Sequence, residues 1–185
     1  MNASMIMMET FLYFAYGSNM LSSRLLVANP TARYRDIACL QDYRLDFCGH
    51  TPVWKASPAT IVETLGSHIW GVMWELNVSD IKHLDRQEDV LAGIYKPLTV
   101  NVTTVDGKIF SCRTYKMTVD PEDNVPLDKL PDHRRPSLIY LKTIIKGAQE
   151  HDLPKKYIEN LNSTRHNGQE YPVPIGFEGF NDTWN

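Results

Sequence analysis

Two features of this 185-residue chain are able to do chemistry: a carboxylate standing where helical spacing expects an apolar side chain, and a Gly-Ser-Asn sequence that closes an aromatic strand. Ile81, Leu84, Glu88 and Leu91 follow one another at steps of three, four and three. At 3.6 residues per turn these positions form one stripe of a helix predicted over Ser79 to Leu91, with Ser79 as its cap. A carboxylate on that stripe loses hydration, which disfavours its charged form and makes it a better base. Glu88 is therefore a candidate for proton transfer. Asp85 lies near the edge of the same stripe and stays open as the base. The competing structural reading is a slightly rotated helix, in which Glu88 reaches solvent or pairs with Arg24 or Arg113.

The second feature is Tyr13-Phe14-Ala15-Tyr16-Gly17-Ser18-Asn19. A strand-forming run stops at Gly17 and gives way to the helical Met20-Leu21-Ser22-Ser23-Arg24-Leu25-Leu26. Glycine tolerates positive φ and lets a ligand approach the backbone, while Ser18 and Asn19 are good N-cap residues. Free N–H groups at such a helix start suit a carboxylate or an oxyanion. Taken alone, the tripeptide is better explained as a plain strand-to-helix connection.

The elements that must position these groups follow from periodicity and turn chemistry. Phe11 to Tyr16 is a predicted strand and Met20 to Ala28 a short helix stopped by Asn29-Pro30. Ile37 to Phe47, Ala59 to Glu63 and Ile69 to Leu76 read as strands, with Gly49 to Pro58 as loop. Thr99 to Val105 and Lys108 to Met117 alternate in polarity around Asp106-Gly107, which predicts a hairpin. Trp70 and Trp74 then share one strand face, a core arrangement. Thr118 to Pro136 is rich in Pro and Asp and reads as a surface loop, with His133-Arg134-Arg135 solvated. Ser137 to His151 is an amphipathic helix whose apolar stripe omits Tyr140, and that tyrosine is either exposed or turned to a cavity. Lys155 to Asn162 forms a shorter helix behind Pro154, and the tail from Gly168 is irregular. Many strands with few helices predict one α+β domain built on a small mixed or antiparallel β-barrel flanked by helices. Its expected bounds are 11–165, with an N-terminal extension over 1–10 and a C-terminal tail over 166–185.

A net charge of -3 leaves no electrostatic footprint for nucleic acid. No stretch is long or apolar enough to span a bilayer. Cys39, Cys48 and Cys112 are odd in number and form no metal-ligand pattern, and the six histidines are scattered. Met5 to Met8 is apolar, but no basic residue precedes it and no cleavage site follows, so a signal peptide is not expected. A reducing cytoplasm is the expected compartment.

Phe11-Leu12-Tyr13-Phe14-Ala15-Tyr16-Gly17-Ser18-Asn19, Leu84-Asp85-Arg86-Gln87-Glu88 and Gly93-Ile94-Tyr95 closely resemble the γ-glutamylcyclotransferase family. The likeness continues through Ala59-Thr60-Ile61, Ile69-Trp70-Gly71-Val72-Met73-Trp74, Ser111-Cys112-Arg113-Thr114-Tyr115, Tyr140, Lys146-Gly147-Ala148 and Leu153-Pro154. It spans about residues 11 to 160 in the family's order. The resemblance implies a small mixed barrel with helices, no metal and no cofactor, a homodimer, and conversion of a γ-glutamyl amino acid to 5-oxoproline and the free amino acid. It further implies that Tyr13, Phe14, Ala15, Tyr16, Gly17 and Ser18 line the substrate pocket. Glu88 would be the catalytic acid/base, and Tyr140 would contact substrate. Asn19 after the Gly-Ser pair favours the general γ-glutamyl branch over the glutathione-specific one. Asp89 departs from the pattern, since many relatives carry glycine there, and it sets a further charge beside the expected base. The segment after Gly168 matches nothing in the family.

Such a reaction needs the substrate's own α-amine to attack its γ-carbonyl. An α-ammonium, with a pKa of about 8, must first lose a proton, and Glu88 is placed to take it and return it to the leaving amine. Two other readings fit the same residues: cyclisation of a γ-glutamylamine, and a non-catalytic barrel that binds a small acidic metabolite.

Overall fold

Five strands carry the alternating patterns of the chain and close on one another in this computed structural model, which describes residues 8–170. They are β1 (Thr10–Ala15), β2 (Arg33–Phe47), β3 (Ala59–Asn77), β4 (Tyr95–Thr104) and β5 (Ile109–Met117). The barrel order is β1-β3-β2-β4-β5. Neighbours are antiparallel except at the closure, where β5 meets β1 in parallel with Tyr13 opposite Arg113. The barrel is thus mixed, the α+β architecture expected. Among the described residues four α-helices flank it: α1 (Ser22–Ala28), α2 (Ile81–Gln87), α3 (Leu138–Glu150) and α4 (Lys155–Asn162).

Several predicted boundaries change. Ala59 to Glu63 and Ile69 to Leu76 belong to one 19-residue strand, not two. Gly66 takes a positive φ of +80 and donates its N–H to Asp42 Oδ1 at 2.8 Å, so the chain bends at a register shift without leaving the sheet. The β4–β5 hairpin turns at Asp106-Gly107 as expected, with Gly107 at φ +82. Ser18 and Asn19 do not cap α1: Ser18–Met20 is a separate 3-10 turn, and the residue preceding α1 is Leu21. The expected extension and tail lie partly outside the described residues. Inside them, Asn167 donates its N–H to Pro136 and Gln169 accepts from Ile139 N–H, holding 167–169 against the start of α3.

One contiguous core fills the barrel and the space under α3 and α4. Two glycines set its tightest contacts. A Cβ at Gly71 would stand 2.4 Å from Ala15 O and 2.7 Å from the Phe14 ring, so only glycine lets β1 lie on β3 there. A Cβ at Gly147 would meet Leu21 N at 2.6 Å, so α3 docks directly on the Ser18–Met20 turn. That contact carries Tyr140 of α3 to the end of β1.

Candidate active site

The carboxylate at Glu88 owes its position to the way α2 ends. The predicted helix to Leu91 stops at Gln87, because Asp89 adopts φ +48. Asp89 N–H bonds Arg86 O at 3.2 Å and Val90 N–H bonds Asp85 O at 3.0 Å. This pairing is a Schellman stop, with Asp89 in the left-handed position that glycine usually fills. The departure of Asp89 from the family pattern therefore has a conformational meaning, since Asp is among the few side chains that accept αL. It also corrects the stripe: Leu91 lies beyond the helix and is fully exposed, while Glu88 occupies the last, half-helical position.

From that position Glu88 faces a cavity of about 120 Å³. At roughly 10–15 Å³ per water-sized group, this is room for about eight to twelve atoms. Tyr13, Tyr16, Gly17, Ser18 and Tyr140, all expected site residues, line it with Glu88. Phe14 and Ala15, also expected there, do not. Both are buried in the core: Phe14 points to the face opposite Tyr13 and packs against Gly71, and Ala15 shares the face of Tyr13 but ends at a single methyl group.

Glu88 is half-buried. Burial pushes its carboxyl up to about 7, against the lowering pull of the Arg24 guanidinium and with smaller raising contributions from Asp89 and Asp85. Asp85, the alternative base, does not line the cavity. It accepts hydrogen bonds at 2.6 Å from both Arg113 Nη2 and Tyr115 Oη, which engages one of the two arginines offered as partners for Glu88. Asn19 Nδ2 donates to Glu88 Oε1 at 3.3 Å. Among the described residues Glu88 Oε2 takes no hydrogen bond.

Opposite the carboxylate, Gly17 and Ser18 end β1. Gly17 has φ -111, so the turn makes no use of glycine's tolerance of positive φ, and a Cβ there would reach Tyr140 Oη at an ordinary 3.5 Å. Its backbone is open to the cavity because no side chain covers it. Among the described residues the N–H groups of Gly17 and Ser18 have no hydrogen-bond acceptor. Tyr140 is buried, with its Oη accepting from Ala59 N–H at 3.1 Å, so its own proton is left for the cavity. Tyr16 Oη donates to Tyr115 O at 2.7 Å, which fixes that ring in the wall.

Sequence reasoning passed over further wall residues. Arg24 lies over the Trp54 ring at 4.8 Å and donates from Nε to Ser18 Oγ at 2.9 Å, and Trp54 packs on Tyr140 with ring centroids 4.5 Å apart. Tyr95 and Gln87 also line the cavity. An aromatic as large as Trp54 inside a predicted loop was the available signal. Arg24 entered only as an ion-pair partner offered for Glu88, and its place in the wall left no further signal, because it reads as one more polar residue of a short helix.

A mixed five-stranded barrel whose cavity sets one desolvated carboxylate against an open Gly-Ser turn is the γ-glutamyl cyclotransferase type of fold. A solved structure of a gamma-glutamyl cyclotransferase matches with a TM-score of 0.82 at 37% identity, over 92% of this chain and 96% of that one. The AIG2-like family model matches residues 68–161. The gamma-glutamylcyclotransferase of Bos taurus is 44% identical over 163 residues, covering 86% of this chain and 81% of the relative. That of Homo sapiens is 40% identical with the same coverage. The chain belongs to the γ-glutamylcyclotransferase family.

Proposed function

We propose that this protein converts a γ-glutamyl amino acid or dipeptide into 5-oxoproline and the free amino acid, with Glu88 as general acid/base. The observation that carries the assignment is that Glu88 lines the same cavity as Gly17 and Ser18, and that among the described residues neither Glu88 Oε2 nor the N–H groups of Gly17 and Ser18 have a hydrogen-bond partner.

The steps follow from the groups present. Arg24 carries the lasting positive charge among the lining residues and suits the substrate's α-carboxylate. Glu88 takes one proton from the α-ammonium, and the neutral amine then attacks the γ-carbonyl carbon. A C–N bond forms, the carbonyl π pair moves to oxygen, and the N–H groups of Gly17 and Ser18 receive that oxyanion. Glu88 returns its proton to the leaving nitrogen, the oxyanion pair re-forms the carbonyl as the original C–N bond breaks, and the regenerated carboxylate takes the second proton from the ring nitrogen and passes it to the released amine, which leaves the neutral lactam and an ammonium. Nucleophile and electrophile are parts of one molecule, so the cavity acts mainly by folding the substrate into the ring-closing conformation. Tyr140 and Trp54 pack against each other in the wall that enforces this folding.

The base must be ionised to begin. With its carboxyl near 7, kcat/KM falls as pH drops below about 7. The direct test is release of 5-oxoproline from a γ-glutamyl dipeptide by wild type and Glu88→Gln. A loss of about 10²–10⁴-fold is expected for the variant. Undiminished turnover would remove Glu88 from the mechanism, and a wild type inert across a panel of γ-glutamyl compounds would remove the activity. Competition with a γ-glutamylamine in the same assay separates the two substrate types. The assembly proposed is a homodimer, as the family resemblance implies, and sedimentation tests it. The cytosol is the proposed compartment, supported by three buried free cysteines.

A further inference from the structure

A chain of three side-chain amides leads from the end of α1 to Glu88. It begins at Leu25 O, a backbone carbonyl that only accepts. Asn29 Nδ2 donates to that oxygen at 3.4 Å and to Gln87 Oε1 at 3.2 Å. Gln87 Nε2 donates to Asn19 Oδ1 at 2.8 Å. Asn19 Nδ2 donates in turn to Tyr13 Oη at 3.1 Å and to Glu88 Oε1 at 3.3 Å. Asn29 Nδ2 donates in both directions, and from it each amide donates toward Glu88, an order fixed by the acceptor-only carbonyl at one end and the carboxylate at the other. Reversing any one amide would set two oxygens face to face. Asn19 and Asn29 are buried, so a lost partner inside the chain is not replaced by bulk water.

We propose that Asn19, held in this orientation by Gln87 and Asn29, is a positioning residue for Glu88: it holds Oε1, favours the ionised carboxylate and leaves Oε2 turned to the substrate. The inference rests on the proposed cyclisation for its purpose but not for its geometry. A base desolvated by its surroundings drifts toward the protonated, inactive form unless something favours the anion. Among the described residues the charged and titratable groups around Glu88 and its cavity are Tyr13 on β1, Tyr16 in the following turn, Arg24 on α1, His50 in the loop after β2, Tyr95 on β4, Tyr115 on β5, Tyr140 on α3, and Asp85 and Asp89 on its own segment. Arg24 favours the anion by its charge, and the two aspartates oppose it. Asn19 adds a directed donor that carries no charge, so it orients the carboxylate as well as stabilising it. Gln87 and Glu88 are consecutive, one at the last residue of α2 and the other at its cap, so the Schellman stop places both ends of this contact at once.

The test uses Asn19→Ala and Gln87→Met, neither of which changes net charge. The Glu88 ionisation midpoint is read directly by carbon NMR of the labelled side chain, and independently from the acid limb of kcat/KM for 5-oxoproline release. Loss of a hydrogen bond to a charged group moves the midpoint up by about one pH unit in Asn19→Ala. The ionised fraction at pH 7, and with it kcat there, then falls about fivefold with KM little changed. Gln87→Met, at a half-buried site where folding is less at risk, shifts the midpoint the same way by less. Midpoints unmoved in both variants, with only thermal stability reduced, would make the amides structural and overturn the proposal. A shift with Asn19→Ala but none with Gln87→Met would overturn the holding role of Gln87. The NMR midpoint judges the positioning role even if wild type releases no 5-oxoproline, an outcome that would instead sink the proposed function.

Discussion

The molecule encloses two carboxylates in opposite ways. Asp46, near the end of β2, is completely buried, and protein donors answer both of its oxygens. Oδ1 accepts from Phe47 N–H at 2.7 Å and from Arg134 Nη2 at 2.5 Å, and Oδ2 accepts from Arg44 Nε at 3.1 Å. Arg134 further donates to Phe47 O and Asp123 O, which pins the long loop after β5 against the barrel. Among the described residues Glu88 has one neutral amide donor, on Oε1, and it lines a cavity. Saturated with matched partners, a buried carboxylate becomes a fastener. Left half-satisfied, it becomes a group whose proton affinity has moved toward neutral pH and whose remaining lone pairs face a ligand.

The sharpest way to break this comparison is to remove the fastener. Asp46→Asn keeps the shape but leaves two arginines facing a neutral amide, one of them deeply buried. Breaking a buried pair by taking away one partner costs about 3–5 kcal/mol. Chemical denaturation of the variant should show a loss of that size, with 5-oxoproline release per folded molecule close to wild type. A loss under about 1 kcal/mol would mean that water or the other donors replace Asp46, and the contrast with Glu88 would collapse.

The second prediction runs the other way. Burial raises the Glu88 carboxyl from 4.5 to about 7, so between those values the folded state holds a proton that the unfolded state has released. Stability contributed at this site is therefore lost as pH rises through that window, and above it the anion is a net cost of folding. Glu88→Gln should accordingly be inactive yet more stable at pH 8, on the order of 1–3 kcal/mol, with the gain vanishing toward pH 4. Melting curves of both proteins across pH check the sign. A variant less stable than wild type at pH 8 would mark Glu88 as a second fastener.

How much of this was legible beforehand differs between the two sites. The mixed barrel, the β4–β5 hairpin and α3 follow from polarity patterns and one Asp-Gly turn, because local periodicity carries that information. Glu88 was legible as an apolar-stripe anomaly, although the helix supporting the argument ends three residues later than Leu84 and leaves Leu91 in water. The stop was hidden because Asp, not Gly, occupies its left-handed position. Asp46 and Arg134 were illegible: they are 88 residues apart, and His133-Arg134-Arg135 looked like a solvated basic cluster. The structure corrects that expectation, since Arg134 is buried. Long-range charge pairing leaves no periodic trace in either partner. The same holds for Asn19 and Gln87, whose side chains look like a cap and a surface amide until the barrel brings them together. Tyr140 was read as off the apolar stripe, and it lies buried because α3 faces a cavity as well as the core.

The smallest effect separates conformation from charge at the residue next to the base. Asp89 does two things at once: it holds φ +48 at the helix stop, and its carboxylate raises the proton affinity of Glu88. Asp89→Gly relieves the left-handed strain but frees the unfolded chain, and these opposing terms leave a net gain of roughly 0.5 kcal/mol or less. The same change removes a negative charge and so lowers the Glu88 midpoint, moving the acid limb of kcat/KM to lower pH by a few tenths of a unit. Asp89→Asn keeps a side chain that tolerates αL while removing the charge, so it should reproduce the shift in the limb without the gain in stability. If Asn leaves the limb in place while Gly moves it, the backbone at the helix stop sets the proton affinity of the base, and the electrostatic side of the contrast with Asp46 would have to be redrawn.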